Sequence, residues 1–173
     1  DDGQYTLVTK TSDLVIGDNY VIAAKGYNYA ISENQTENNR SVATISKNTT
    51  DNTISWTESS NVCEFELKEG KVTDTYAFYD ASNNGYIYAA SSSKNYLRTE
   101  TTLDNNGSFK ISVSSSSTTI VAQGTNTRNK IQYNDSSTLF SCYSNTQKEV
   151  VLYHKVGGEI PAPIDEVGFI AQD

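Results

Sequence analysis

The stretch "AFYDASNNGYIYAASSSKNYLRTETTLDNNGSFKISV", residues 77–113, holds short apolar segments around Phe78, Ile87, Leu97 and Phe109, cut apart by clusters of Asn, Ser, Gly and Asp. Runs rich in Val, Ile, Tyr, Phe and Thr bounded by such turn formers are the pattern of short strands. No segment longer than a few residues shows helical periodicity, and both prolines fall at or beyond residue 161. The chain reads as all-β, with strands expected near 5–9, 20–25, 29–32, 41–46, 53–56, 62–68, 75–80, 85–90, 96–99, 108–113, 118–123, 130–133, 139–143 and 149–154.

The same landmarks recur. Phe65, Phe109 and Val151 are separated by 44 and 42 residues, Phe78 and Ile120 by 42, Ile87 and Ile131 by 44, and Leu97 and Leu139 by 42. The first third fits the same frame if Ile22, Ile31 and Val42 stand for Phe78, Ile87 and Leu97, at spacings of 56, 56 and 55. The excess points to an insertion around residues 45–60, which also holds the single tryptophan, Trp56. Three repeats of forty-odd residues, roughly 18–68, 69–113 and 114–155, with four strands each, resemble a β-trefoil-like closed barrel. A β-sandwich or another barrel is the alternative, since the "QxW" tag of trefoil lectins is missing. Residues 5–9 read as an additional strand able to pair beside the C-terminal "VVLYH" and cover a sheet edge. One all-β domain is therefore expected over 1–156. Residues 157–173, with both prolines and four acids, read as a linker or C-terminal extension leading to a further domain.

Composition narrows the function. Apolar residues make up 36% and mean hydropathy is -0.55, so the core must be thin and the surface rich in hydroxyls and amides. A formal charge of -8 opposes nucleic acid, which needs clustered Lys or Arg to displace counterions, and equally an anionic membrane surface. No apolar run approaches the roughly 20 residues that span a bilayer. The absence of any Met suggests that a leader or upstream region is removed. Cys63 and Cys142 could form one disulfide, or could serve as small buried hydrophobes.

Catalytic constellations are not apparent. A nucleophilic triad needs His beside Ser or Cys, and the only histidine, His154, sits in the closing strand. Acidic residues such as Glu64, Glu66 and Glu69 sit on alternating strand positions or in turns, where a solvated face is the ordinary explanation. The turns at 104–107 ("DNNG") and 134–137 ("NDSS") offer oxygen ligands but lack the spacing of a calcium loop. No cofactor, metal or enzymatic activity is expected.

Recognition by a polar surface bearing aromatics remains. Sugars present apolar C–H faces and hydroxyl edges, so their sites combine rings with amides, carboxylates or Arg. Strand alternation makes the choice of rings: if Ile87 points inward, Tyr86 and Tyr88 point outward, at positions held by Ala30 and Ser32 in the first repeat and Lys130 and Gln132 in the third. Those replacements suit a wet face. Tyr76 and Phe78 then share the inward parity, and Tyr79 joins Asp80, Asn83 and Asn84 in the outward set. Tyr96 is expected to share that exposure. Tyr27 and Tyr29 in "KGYNYA" and Asn126, Arg128 and Asn129 in "GTNTRNK" complete the candidate ligand residues. Each set also has a plain structural reading, as cross-strand pairs or as loops satisfying their own backbone.

The segments "GYIYAASSSKNYLRTETTLDNNGSFKISV", "IVAQGTNTRNKIQYNDSSTLFSCYS" and "VVLYHK", with the opening "YTLVTKTSDLVIGDNYVIAAK", resemble an uncharacterised module of secreted multidomain proteins of Bacteroidetes-type bacteria, over about residues 5–155. The resemblance implies a secreted or cell-surface location and a modular parent chain; it assigns no activity. The expectation is a noncatalytic extracellular module recognising a glycan or glycoprotein. The alternative is a structural or adhesive spacer.

Overall fold

The computed structural model describes residues 4–115 and 117–156, so the linker expected over 157–173 lies outside the described residues. The first repeat contains β2 (Asn19–Ala24), β3 (Tyr29–Gln35), β4 (Arg40–Thr44) and β7 (Phe65–Glu69). The second contains β8 (Tyr76–Asp80), β9 (Gly85–Ala89), β10 (Leu97–Glu100) and β11 (Phe109–Val113), and the third β12 (Thr118–Ala122), β13 (Lys130–Asn134), β14 (Leu139–Tyr143) and β15 (Val150–Val156). An N-terminal strand β1 (Gln4–Leu7) precedes them, and the insertion forms β5 (Ser46–Asn48) and β6 (Thr53–Ser55).

First and fourth strands of the three repeats pair antiparallel in a closed cycle: β2 with β7, β7 with β8, β8 with β11, β11 with β12, β12 with β15, and β15 with β2. A closed cycle leaves these strands no exposed edge for another chain to pair with. Second and third strands form the hairpins β3–β4, β9–β10 and β13–β14. The additional strand lies where the sequence put it, with Tyr5 opposite Lys155 and Leu7 opposite Tyr153. Its other side takes β6.

One expected strand, 41–46, is two. β4 ends at Thr44 and β5 starts at Ser46, because Ile45 between them is buried and its N–H bonds Asn28 O at 3.1 Å. The chain thus changes partner, and β5 pairs with β6 rather than with β3.

Alternation places Ile22, Ile31, Phe65, Leu67, Phe78, Ile87, Leu97, Phe109, Ile120 and Ile131 in the main core, all at 0–1% exposure. Phe65, Phe78 and Phe109 meet with centroids 5.7 and 5.8 Å apart. Burying each such ring stabilises by about 1.5–3 kcal/mol. Tyr76, expected inward, packs against this core. Two landmarks of the repeat frame are one residue off. In β15 the core position is Leu152, with Val150, while Val151 faces a second cluster. In β14 the core residue is Phe140, and Leu139 is half-buried. A one-residue slip exchanges the two faces of a strand, and spacing alone does not detect it when both neighbours are apolar.

The second cluster gathers Tyr5, Val21, Ala23, Ala30, Ala43, Ile54, Val151 and Tyr153 under β1 and the insertion, with Trp56 packed against it. Trp56 lies 5.3 Å from the Tyr5 ring, so the lone tryptophan is structural here. Cys63 and Cys142 are separate buried thiols of the main core, and burial pushes both thiol pKa values up.

Candidate ligand-binding face

The outward set of the second repeat forms a continuous row. Glu66 on β7 faces Tyr79 on β8, Tyr79 faces Tyr86 on β9, and Tyr86 faces Glu100 on β10. The next row pairs Tyr88 with Arg98. Residues directly opposite in an antiparallel sheet share a face, so three tyrosines, a guanidinium and two carboxyl groups lie on one surface. Strand β9 alternates between buried Gly85, Ile87 and Ala89 and half-exposed Tyr86 and Tyr88, as the parity of Ile87 requires. Tyr79 and Tyr86 meet edge to face at 5.3 Å, and Lys68 Nζ sits 5.7 Å from the Tyr79 ring.

Arg98 and Glu100 complete this face, and sequence reasoning did not select them. The inward parity of Leu97 was the signal that could have found them, since it turns both residues outward. Arg98 lies over the half-buried Tyr96 ring at 4.6 Å, and its Nε donates to Glu37 O and Asn38 Oδ1 at 3.1 Å each. Tyr96 is therefore a platform for Arg98 rather than an open ring. Glu100 is pushed up to about 8, chiefly by burial and next by the adjacent Asp104 carboxyl, although the Asp104 N–H donates to its Oε2 at 3.2 Å. At neutral pH it is largely an uncharged acid that can donate a hydrogen bond. Close packing holds it there: a Cβ on Gly107 would lie 2.9 Å from its Oε2, and one on Gly85 would lie 2.4 Å from its backbone O.

Asp80 does not belong to this face. It is 1% exposed and ion-paired with Arg40 at 2.7 Å. Paired residues Asp80 and Gly85 sit at the hairpin end, where Asp80 turns inward to cap the turn: its Oδ1 accepts from Ser82 N and Oγ, and its Oδ2 from Asn83 Nδ2. Asn83 serves the same turn and donates to Glu33 O at 2.8 Å. Asn84 adopts a left-handed φ of 53° and accepts from the Tyr79 hydroxyl at 3.0 Å, which keeps it at the rim of the tyrosine row.

The remaining expected residues fall elsewhere. Tyr27 and Tyr29 are half-buried against the core, with Tyr133 at 4.9 and 6.0 Å, and Tyr27 donates to Asp135 at 2.8 Å. They form a separate aromatic cluster joining the first and third repeats. Asn126 donates to Ala89 O and accepts from Ser92 Oγ, fastening its loop to the second repeat. Asn129 O accepts from Ala122 N. Arg128 donates to Asn95 Oδ1 at 3.1 Å, among the described residues a single hydrogen bond for a five-donor group. The two Asx-rich turns satisfy themselves: Asp104 accepts from Asn106 N and Gly107 N, and Asn134 from Ser136 N and Ser137 N.

The equivalent face is covered in the first repeat, contrary to the wet face expected there, and partly covered in the third, where Lys130 stays half-exposed and Gln132 is buried. Ala30 and Ser32 are buried, Ala30 beneath the insertion. Gln132 is 2% exposed and bonded to Asn145 Oδ1, Gln147 O and Gln147 N. Only in the second repeat do both outward positions of the central strand carry half-exposed rings.

No family model matches the chain, and no curated protein matches it. Solved structures do. A BEL β-trefoil in an apo crystal form is similar at 12% identity and TM-score 0.59, over 86% of this chain and 100% of that one. A GlcNAcα1-4Gal-releasing endo-β-galactosidase from Clostridium perfringens is similar at 10% identity and TM-score 0.57, over 81% of this chain. This chain spans 33% of the galactosidase's length. The lysenin pore is similar at 12% identity and TM-score 0.54, over 83% of this chain and 49% of that one. The likeness is one of fold, and with the closed cycle of strands it makes the protein an all-β chain of β-trefoil type.

Proposed function

We propose that the protein is a noncatalytic extracellular module that binds carbohydrate on the second-repeat face. The observation that carries this reading is the row Tyr79–Tyr86 with Tyr88 beside Arg98, half-exposed rings at both outward positions of the central strand, where the first repeat has buried Ala30 and Ser32 and the third a half-exposed Lys130 and a buried Gln132. Tyrosine rings take the apolar C–H face of a pyranose, and Arg98, Glu100 and Asn84 stand at the edges to meet hydroxyls. A largely protonated Glu100 both donates and accepts, as a sugar hydroxyl does. A β-trefoil and a carbohydrate-releasing enzyme among the similar structures are consistent with such a role, and the resemblance to secreted modules supports a place in a longer surface or secreted chain.

A glycan array carrying plant and host polysaccharides, followed by calorimetry on the best responders, tests the reading. Binding lost in Tyr86→Ala/Tyr88→Ala supports it. A uniformly flat array refutes it.

A further inference from the structure

A second concavity lies away from the tyrosine face. Leu7 and Val8 from the N-terminal strand and its end, and Val151 and Tyr153 on the outer side of β15, line a groove of about 320 Å³ whose accessible surface is mainly apolar. Small-molecule sites are commonly apolar concavities of roughly 300–1,000 Å³ with a few polar groups that fix orientation. This groove has two such groups that the fold leaves incompletely served.

The first is Lys47. It is half-buried and lines the groove, and its Nζ donates to Ala24 O at 2.7 Å. Among the described residues no carboxylate pairs with it. The neighbouring Lys25 is different: it is already neutralised by Glu149 at 3.3 Å. An ammonium has three donors, and a partly desolvated charge without a counterion is costly. Burial accordingly lowers the Lys47 pKa below the ordinary lysine value. The second group is the Tyr153 hydroxyl. Tyr153 is 6% exposed and makes no hydrogen bond among the described residues, although a buried phenol normally finds a partner.

We propose that this groove binds a medium-chain alkyl carboxylate, its carboxylate met by Lys47 and the Tyr153 hydroxyl and its chain laid on Leu7, Val8 and Val151. The charge of the groove selects the anion in a chain that is otherwise acidic at -8. Its volume of about 320 Å³ selects the length, since at roughly 30 Å³ per heavy atom that space holds about ten, the carbon count of a ten-carbon carboxylate whose two oxygens reach Lys47 and Tyr153. The site shares no residue with the tyrosine face, so it stands or falls independently of carbohydrate binding.

The test is calorimetric titration of the protein with sodium decanoate below its micelle-forming concentration, with decylamine as the chain-matched cation. Decanoate is expected to bind and to raise Tm, and decylamine to do neither. Lys47→Met should weaken decanoate by about tenfold or more, and Tyr153→Phe by about threefold, each with an unchanged circular-dichroism spectrum. Lys47→Arg should stay within about threefold of the parent, because it keeps the charge. The proposal is overturned if decanoate gives neither heat nor a Tm rise, if decylamine binds equally well, or if Lys47→Met leaves the decanoate Kd unchanged. Lys47-dependent sedimentation with phosphatidylglycerol vesicles, without binding of free decanoate, would assign the groove to a membrane surface and also overturn it.

Discussion

Arg40 and Asp80 form an ion pair at 2.7 Å with side-chain exposures of 0% and 2%, tying the first repeat to the second across the interior. The pair is held in a network: Arg40 also donates to Ser32 O, Gln35 Oε1 and Thr99 Oγ1, and its guanidinium lies 5.7 Å from the Phe65 ring. Burial alone would raise the Asp80 pKa, but hydrogen bonds from Ser82 and Asn83 and the Arg40 charge together hold it below its ordinary value.

Removing one partner should therefore be severe. Asp80→Ala leaves a buried guanidinium uncompensated and should cost about 3–5 kcal/mol in urea denaturation. The combined change Arg40→Met/Asp80→Leu should recover much of that loss, since no charge then stays buried. In the parent protein the contribution of Asp80 is present above the ordinary Asp pKa and is lost as pH falls through the lower folded value. A pH series of denaturation midpoints below about 4 should show a decline that the double variant lacks.

The tyrosine face should separate binding from stability. Tyr86→Ala/Tyr88→Ala removes two half-exposed rings and one cross-strand ring pair, for which about 0.2–1 kcal/mol per pair is expected. Thermal melting should shift by only a few degrees, and titration with the best glycan should lose its signal. A melting loss as large as that of Asp80→Ala would show the rings to be framework.

Glu100 predicts a slope of the opposite sense to that of Asp80. The folded state holds its proton up to about 8, whereas the unfolded chain releases it near the ordinary Glu value of about 4.3. Stability from this group is thus complete below the unfolded pKa and is lost as pH rises through about 8. Its partial exposure weakens the effect. Glu100→Gln should flatten the decline of Tm between pH 5 and 9 and be more stable than the parent at the alkaline end.

Adjacent residues test strand register. Phe140→Ala empties a main-core position and should cost about 3–5 kcal/mol. Leu139→Ala, at a half-buried position, should cost much less. Leu152→Ala should likewise exceed Val151→Ala, because Leu152 fills the main core and Val151 the smaller second cluster. Urea midpoints of the four variants decide the order.

The sequence by itself determined the all-β class, nearly every strand, the threefold period, the additional N-terminal strand and the outward parity of Tyr86 and Tyr88. These are local: turn formers punctuate strands, and alternation along β9 fixes faces once Ile87 is assigned inward. Spacing was weaker where two apolar residues adjoin, as at Leu139–Phe140 and Val151–Leu152, because either can take the core and only the partner strand chooses. Tertiary structure decided the rest. It turned Asp80 inward onto Arg40, forty positions away in the chain, folded the insertion over the first repeat, buried Gln132 in the third, and left half-exposed rings at both outward positions only in the second. It also brought Lys47 and Tyr153 to the same groove. Such outcomes depend on which distant side chain neutralises a charge or covers a surface, and no local pattern of residues carries that information.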